Sequence, residues 1–267
     1  MTDTPLDGIP KTILVGEAGD IREIAVLYQE ARELARGPML VWLGGYRSDM
    51  TGTKAAELAR LAEEQGLACL RFDYSGHGQS GGAFRDGTIS RWLAETLAVI
   101  AAHPTSEIIL VGSSMGGWIA LRALEELRKQ EQAPKVRGLV LIAPAPDFTS
   151  DLIEPALKDE EKRSLEERGY FEEPSEYSSE PNIFTRALIE DGRKNRVLQG
   201  MIESGCPVHI LQGMRDEDVP YAHALKLMEF LPADDVVLTL IRDGDHRLSR
   251  PQDIERMRAA ILALACP

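Results

Sequence analysis

The sequence has few cysteines, and they lie far apart. The 267 residues include Cys69, Cys206 and Cys266, which form no C-x-x-C pair of the kind that binds metals or carries out redox chemistry. Cys69 lies in the apolar run "LACLRF", and Cys206 precedes "PVHIL". We therefore expect reduced thiols in buried strands, and we predict no metal site.

Positive charge is also scarce, because 30 lysines and arginines stand against 43 acidic residues, a formal net charge of −13. Such a surface repels nucleic-acid phosphates and anionic lipids, which argues against both kinds of partner. No apolar run approaches the ~20 residues that a membrane span needs. The N-terminal "MTDTPLDGIPK" has neither a basic region followed by an apolar core nor the Arg-rich character of a transit peptide. The expected location is therefore the cytoplasm.

What the sequence does contain is an alternation of short apolar runs with longer amphipathic segments. It predicts strands at 11–16, 22–30, 38–45, 67–74, 107–113, 136–144, 206–213 and 235–242. It predicts helices at 53–65, 88–102, 115–131, 220–231 and 251–265. Because the central strands are nearly all apolar, we expect an α/β fold with a mostly parallel, doubly wound sheet. The first two strands have no helix between them, which predicts an antiparallel N-terminal edge.

One segment, residues 147–205, interrupts this alternation. It contains no convincing strand, is rich in charged residues, serine and proline, and is too long for a connection within a compact domain. Apolar residues recur in short helical patches along it. We therefore expect a helical lid, inserted into an α/β core that consists of residues 1–146 and 206–267.

Residues 112–116 read Gly-Ser-Ser-Met-Gly, a G-x-S-x-G pattern centred on Ser114. A predicted strand comes directly before it and a predicted helix directly after it. Glycines two positions to either side let the crossing chains pass at such a sharp turn, and the hydroxyl then projects above the sheet. Ser113 fails this spacing, since its neighbours at the same offsets are Val111 and Met115. The alternative is a tight turn with incidental hydroxyls.

A nucleophilic serine needs a base, and the base needs a carboxylate that orients it. His246 follows the last predicted strand, and ligands meet an open α/β sheet at such strand ends. Asp216 follows the preceding strand and is the first choice of carboxylate. Asp218 is the second choice and is also placed to cap the next helix. The remaining histidines precede the serine or lie within a predicted strand or helix: His77, His103, His209 and His223.

Acyl-transfer chemistry also needs N–H donors that stabilise an oxyanion. We expect one from the backbone of Met115, directly after the serine, and the other from Tyr46 in the loop "WLGGYRSDMTGTKA". Gly45 in this loop allows a close backbone approach, although a simple turn is the alternative. A second loop, "DYSGHGQSGG", is expected at the same opening and lacks the spacing of a phosphate-binding loop.

Together these loops resemble the α/β-hydrolase superfamily over nearly the whole chain. The segments "LGGYRSD", "FDYSGHGQS", "GSSMGG", "GMRDEDVP" and "GDH" follow the superfamily's order, with Gly44 where many members have histidine. "GYRSDMTGTKA", "RFDYSGHGQS", "VGSSMGGW" and "DGDHR" are also similar to the branch of mitochondrial α/β-hydrolase domain-containing protein ten, an acyl-protein thioesterase that also cleaves acyl glucuronides. The resemblance implies an α/β-hydrolase fold with Ser114, Asp216 and His246 as catalytic triad, in a bacterial-type relative.

The expected function is a serine hydrolase that cleaves esters or thioesters of small-molecule or acylated substrates through an acyl-enzyme, without a metal or organic cofactor. We expect Gly45 and Trp118 at the substrate site, with Trp92 as a second candidate; core packing is an equal alternative for the tryptophans. Serine peptidases, lipases, carbon–carbon bond hydrolases and perhydrolases share the triad and stay open, as does a small-molecule receptor with little turnover. The sequence does not indicate an oligomeric state.

Overall fold

The computed structural model describes residues 8–32, 37–174, 181–231 and 235–265, and a large sheet forms its centre. The strands are β1 (Lys11–Val15), β2 (Arg22–Gln29), β3 (Met39–Leu43), β4 (Cys69–Phe72), β5 (Glu107–Ser113), β6 (Lys135–Ile142), β7 (Tyr170–Glu173), β8 (Asn182–Thr185), β9 (Val208–Gly213) and β10 (Val236–Ile241). Eight of them form one sheet in the order β1-β2-β4-β3-β5-β6-β9-β10, and β7 pairs with β8 in a second, small sheet.

Helices connect most of these strands. They are α1 (Thr53–Gln65), α2 (Ile89–Ala101), α3 (Met115–Arg128), α4 (Glu154–Ala156), α5 (Asp159–Arg168), α6 (Arg186–Lys194), α7 (Tyr221–Phe230) and α8 (Pro251–Ala265). The predicted strands of the large sheet and the predicted helices are confirmed, with ends that differ by a few residues. The predicted antiparallel edge is also confirmed, because β2 pairs antiparallel with both β1 and β4, whereas the other neighbours are parallel.

The large sheet is covered on both faces, which explains its unbroken apolar runs. In β5, Ile108 and Leu110 belong to a core that includes α2 and α3, whereas Ile109 and Val111 belong to a core that includes α1 and α8. Successive strand residues point to opposite faces, so both sets must be apolar. The parallel strands therefore end at one common edge, where loops meet and a site can form.

Residues 147–205, called the insertion from here on, connect β6 to β9 and are not purely helical. A π-helical turn (Thr149–Ile153), α4, α5 and α6 are joined by the antiparallel pair of β7 and β8. The expectation of no strand was wrong here, because each strand has four residues, too few to show an alternating pattern. At the base, the buried Asp147 carboxylate accepts the backbone N–H groups of Val197 and Leu198, which ties the two ends together.

His223 in α7 is 5% exposed, and its Nε2 lies 2.6 Å from the carbonyl oxygen of Pro146. The cysteines differ in part from expectation. Cys206 is half-buried and precedes β9 rather than lying in it. Cys69 is buried in β4 as predicted, and burial raises the pKa of its thiol to about 12. Cys266 lies outside the described residues.

In the parts of the chain that the structure describes, no helix has both the length and the apolar character required to cross a membrane.

The crossing of α3 over β3 generates a stability prediction. A Cβ at Gly116 would lie 2.0 Å from the carbonyl oxygen of Leu43, a backbone atom that cannot rotate away. We expect Gly116→Ala to lower the free energy of unfolding by about 1–3 kcal/mol or more, as overpacked cores do. Gly200→Ala is the control, since nothing lies within 4 Å of a Cβ there. Equal melting temperatures for the two variants would contradict this account.

Candidate active site

The turn at Ser114 is strained in the way that the G-x-S-x-G spacing predicts. Ser114 has φ 54° and ψ −120°, a backbone region that residues with side chains avoid at a cost of about 1–3 kcal/mol. Glycine is required beside it, because a Cβ at Gly112 would lie 2.4 Å from the carbonyl oxygen of Gly116. Ser113 is the last residue of β5 and is buried. Only Ser114 of the two serines therefore lies at the strained turn between strand and helix.

Neighbouring backbone groups hold this strained turn in place. The N–H of Ser114 donates to the carbonyl oxygen of Ile142 at the end of β6, at 2.9 Å. The Ser114 carbonyl oxygen accepts the N–H groups of Gly117 at 2.9 Å and Ala145 at 3.1 Å. The start of α3 and the β6 loop thus fix the direction in which the hydroxyl projects.

Two hydrogen bonds connect the hydroxyl of Ser114 to a buried carboxylate. His246 Nε2 lies 3.0 Å from Ser114 Oγ, and His246 Nδ1 lies 2.8 Å from Asp216 Oδ2. The three residues lie in the turn after β5, the loop after β9 and the loop after β10, so the order of strands in the sheet brings them together. Because an ionised carboxylate can only accept, Nδ1 carries the proton and Nε2 can accept the serine's.

The Asp216 carboxylate accepts three further hydrogen bonds. Oδ1 accepts the backbone N–H groups of Asp218 at 3.1 Å and Val219 at 2.7 Å, and Oδ2 also accepts Gln212 Nε2 at 3.0 Å. A buried charge is stabilised only when it is hydrogen-bonded in this way. Asp218 contributes its backbone N–H to this group, and the N-cap of α7 is Pro220.

Ligand atoms of Asp216, Asp218 and His246 lie within 4.8 Å of one another, close enough in principle for a cation. However, Asp216 Oδ2 and His246 Nδ1 already share a hydrogen bond, and Asp216 Oδ1 accepts two backbone donors. The closeness of the three groups is explained by these bonds, so we assign no metal to the cluster.

The loop after β3 lies against the serine turn. A Cβ at Gly45 would lie 3.3 Å from Ser114 Cβ, so this backbone passes directly beside the hydroxyl. Tyr46 and Met115 both line the cavity next to Ser114. Met115 is the first residue of α3, where N–H groups have no partner within the helix. Both residues that are expected to donate N–H groups therefore lie at the cavity that Ser114 also lines.

A cavity of about 470 Å³ opens beside Ser114 and His246. Its apolar wall consists of residues from the loop after β6 and from the insertion: Ala145, Phe148, Leu152, Ile153, Ala156, Leu157 and Phe184. Four carboxyl groups also line it: Glu161, Glu173, Glu217 and Asp218. Burial raises the pKa of Glu173, and Glu161 adds to this effect. The cavity lining thus combines apolar side chains with carboxyl groups.

The tryptophans do not line this cavity. Trp118 is fully buried, donates its indole N–H to the carbonyl oxygen of Asn195 at 2.9 Å, and packs against Phe148 from behind. Trp92 is also fully buried and donates to the carbonyl oxygen of Ser75 at 3.2 Å. Core packing, the alternative considered for both residues, therefore describes their surroundings. Gly45 instead lines a second cleft of about 370 Å³ that also reaches Ser114 and His246.

Two polar residues near the site have no role in the sequence-based prediction. Asp73 accepts the N–H groups of Met50 at 2.6 Å and Gln79 at 2.7 Å, and so joins the loop after β3 to the loop after β4. His77, rejected as a base from its position before the serine, contacts the backbone of Arg47. The spacing of "FDYSGHGQS" is the only sequence signal that pointed to this region.

Comparison with known proteins defines the class to which this protein belongs. The sequence profile of the alpha/beta hydrolase family matches residues 40–260. The chain belongs to the alpha/beta hydrolase family, and it is a hydrolase.

Its relatives define the branch. The human mitochondrial palmitoyl-protein thioesterase ABHD10 is 33% identical over 221 residues, which cover 82% of this chain and 70% of the relative. Alpha/beta hydrolase domain-containing protein 10 from mouse has a TM-score of 0.81 at 29% identity, over 95% of this chain and 98% of that chain. The crystal structure of an Agrobacterium vitis S4 protein has a TM-score of 0.93 at 66% identity, over 97% and 99%. The chain therefore lies on the ABHD10 branch, as its motifs predicted.

Proposed function

We propose that this protein is a serine hydrolase that cleaves carboxylic esters or thioesters with Ser114 as nucleophile, His246 as base and Asp216 as the orienting carboxylate. The observation that carries the proposal is the hydrogen-bonded line from Asp216 through His246 to Ser114 Oγ, at distances of 2.8 Å and 3.0 Å. It ends at the strained turn, beside a cavity large enough for a small ligand.

In the first half-reaction, His246 Nε2 takes the proton of Ser114 as Oγ bonds to the carbonyl carbon of the substrate. The carbonyl electron pair moves to oxygen, and the backbone N–H groups of Met115 and Tyr46 stabilise that oxyanion. The C–O or C–S bond to the leaving group then breaks as the carbonyl re-forms. His246 gives its proton to the departing alcohol or thiol, which leaves an acyl group on Ser114.

In the second half-reaction, water takes the place of the leaving group. His246 removes a proton from water while its oxygen attacks the acyl carbon, and the same N–H groups stabilise the second oxyanion. The bond to Ser114 Oγ breaks, His246 returns the proton to Oγ, and a carboxylic acid departs. The net reaction consumes one ester or thioester and one water.

We assign the acyl group to the apolar cavity and the role of lid to the insertion. Insertion residues such as Phe148, Leu152 and Leu157 supply much of the apolar wall, and burying a chain against them is favourable by roughly 0.8 kcal/mol per CH₂. The human relative is named as a palmitoyl-protein thioesterase, which supports acyl thioesters as one substrate class. A cytoplasmic location and the absence of a nucleic-acid partner stay predictions from composition.

The identity of the nucleophile is tested by labelling. A fluorophosphonate should modify Ser114, and Ser114→Ala should lose the label and at least ~1000-fold in kcat on p-nitrophenyl esters. Ser113→Ala is the matched control and should keep both. Mass spectrometry of the labelled peptide identifies the site. A label on Ser113, or no turnover above the Ser114→Ala background, would overturn the assignment and favour a receptor.

The orienting carboxylate is tested by paired substitutions. Asp216→Asn should lower kcat by about 10⁴-fold, because the amide no longer holds the imidazole in the required tautomer. Asp218→Asn should change kcat little, since Asp218 contributes a backbone N–H to this group. Steady-state kinetics on one p-nitrophenyl ester gives the kcat of both variants and so their ranking. The reverse ranking would show that Asp218 is the functional acid.

The acyl site is tested by narrowing the cavity. We expect kcat/KM on p-nitrophenyl esters to rise from acetate towards longer chains, because more apolar surface is buried. Leu157→Trp fills part of the cavity wall and should lower the ratio of octanoate to acetate activity by ~10-fold. Leu225→Trp, on the exposed side of α7, is the control. An unchanged ratio of octanoate to acetate activity in Leu157→Trp would show that the acyl group does not bind in this cavity.

A further inference from the structure

His77 is buried beside the loop that carries Tyr46, and its proton position is defined by its partners. Its ring is 4% exposed and contacts the rings of Phe84 at 5.0 Å and Trp92 at 5.2 Å. Nδ1 lies 3.2 Å from the carbonyl oxygen of Ser75, and Nε2 lies 3.2 Å from the backbone nitrogen of Arg47. A carbonyl accepts and an N–H donates, so Nδ1 carries the proton and Nε2 is the acceptor.

The surroundings of His77 keep this neutral form. Burial lowers the pKa of His77 to about 4, and the positive charge of Arg47 contributes in the same direction. The other rings that pack against it, including Tyr74 at 5.7 Å, provide no carboxylate. At neutral pH the imidazole is therefore a permanent hydrogen-bond acceptor for the Arg47 N–H.

The Arg47 N–H is the central amide of a turn that contains Tyr46. The N–H of Ser48 donates to the carbonyl oxygen of Gly45 at 3.1 Å, which closes a four-residue turn. Of its two central residues, Arg47 has the positive φ, 57°, as in a type II turn. That position normally holds glycine, and another residue there costs about 1–2 kcal/mol. The sequence alone thus does not favour this turn.

The hydrogen bond from the Arg47 N–H to His77 stabilises a type II turn that the residues of the turn do not favour by themselves. Type I and type II turns differ by a reversal of the central peptide, here the one between Tyr46 and Arg47. In the reversed form the Tyr46 carbonyl oxygen would face His77 Nε2, and two acceptors would meet in a buried place. His77 therefore favours the turn that the structure shows, in which the Arg47 N–H points to Nε2 and Gly45 lies against Ser114.

The insertion holds the same turn from the opposite side. The Tyr46 hydroxyl donates to the carbonyl oxygen of Ile183, the Arg47 guanidinium donates to that of Pro181, and the Tyr46 ring stacks on Phe184 at 5.4 Å. These partners belong to the insertion, whereas His77 belongs to the loop after β4. His77 is thus a restraint from the core, in addition to the contacts of the Tyr46 ring with Phe84 at 4.8 Å and Trp92 at 6.0 Å.

We propose that His77 is a positioning residue for the oxyanion loop: its neutral Nε2 holds the Arg47 amide, so that the Gly45–Ser48 turn, which carries the Tyr46 N–H, keeps its place beside Ser114. This inference rests on the serine-hydrolase function proposed above. His77 touches no reacting atom, and its effect is on the transition state rather than on substrate binding, because the oxyanion exists only after attack.

The test replaces the acceptor while the ring volume is kept. His77→Phe fills the same aromatic surroundings without an acceptor, and we expect kcat to fall ~10-fold with KM within about twofold, a smaller loss than removal of an oxyanion donor. Affinity for a trifluoromethyl ketone, whose adduct with Ser114 carries an oxyanion, should fall by the same factor. His77→Gln places an amide oxygen near the former Nε2 and should restore most of kcat.

Further variants keep the test decisive if His77→Phe does not fold. His77→Asn retains a donor for Ser75 but is too short to reach Arg47, so it should match His77→Phe in kcat. His209→Gln, in β9 away from the site, is the control and should match the wild type. Wild-type kcat and ketone affinity in His77→Asn or His77→Phe, a loss in KM alone, or an equal loss in His77→Gln would each overturn the inference.

These experiments distinguish a failure of the role proposed for His77 from a failure of the serine-hydrolase function. If Ser114→Ala keeps its turnover, the serine-hydrolase function itself fails. If Ser114→Ala is inactive while the His77 variants match the wild type, only the role of His77 fails.

Discussion

The strained turn between β5 and α3 is the constraint on which the rest of this site depends. Ser114 adopts a positive φ because the chain must reverse from strand to helix within one residue. That reversal requires glycine at 112 and 116, and it brings α3 against the end of β3. The loop after β3 passes directly beside Ser114. The same strain that exposes the hydroxyl also determines where the neighbouring N–H groups lie.

Three regions of the chain converge on the short loop that contains Tyr46. The turn at Ser114 packs against Gly45, the core loop contributes the acceptor of His77, and the insertion receives the hydroxyl of Tyr46. Because all three regions contact the same turn, a change in its backbone at one contact would also alter the other two. The cavity wall and the candidate oxyanion donors are therefore parts of one packed unit, although they are far apart in the sequence.

Buried polar groups around the site follow one physical rule. Asp216, Asp73 and Asp147 are all buried, and each accepts backbone N–H groups from loop residues, among them Val219, Met50 and Leu198 respectively. An unpaired carboxylate there would be strongly destabilising, so each one fixes the loop that satisfies it. These three acids therefore stabilise loops, in addition to contributing to the net charge of −13.

The sequence by itself determined the kinds of strands and helices, the antiparallel edge, and the order in which Ser114, Asp216 and His246 follow strands, because hydrophobic period and turn glycines are local properties. Only the tertiary structure decided that Trp118 packs behind the cavity, that β7 and β8 pair, and that His77 meets Arg47. Those outcomes depend on which loops meet across the sheet, and no spacing along the chain encodes such contacts.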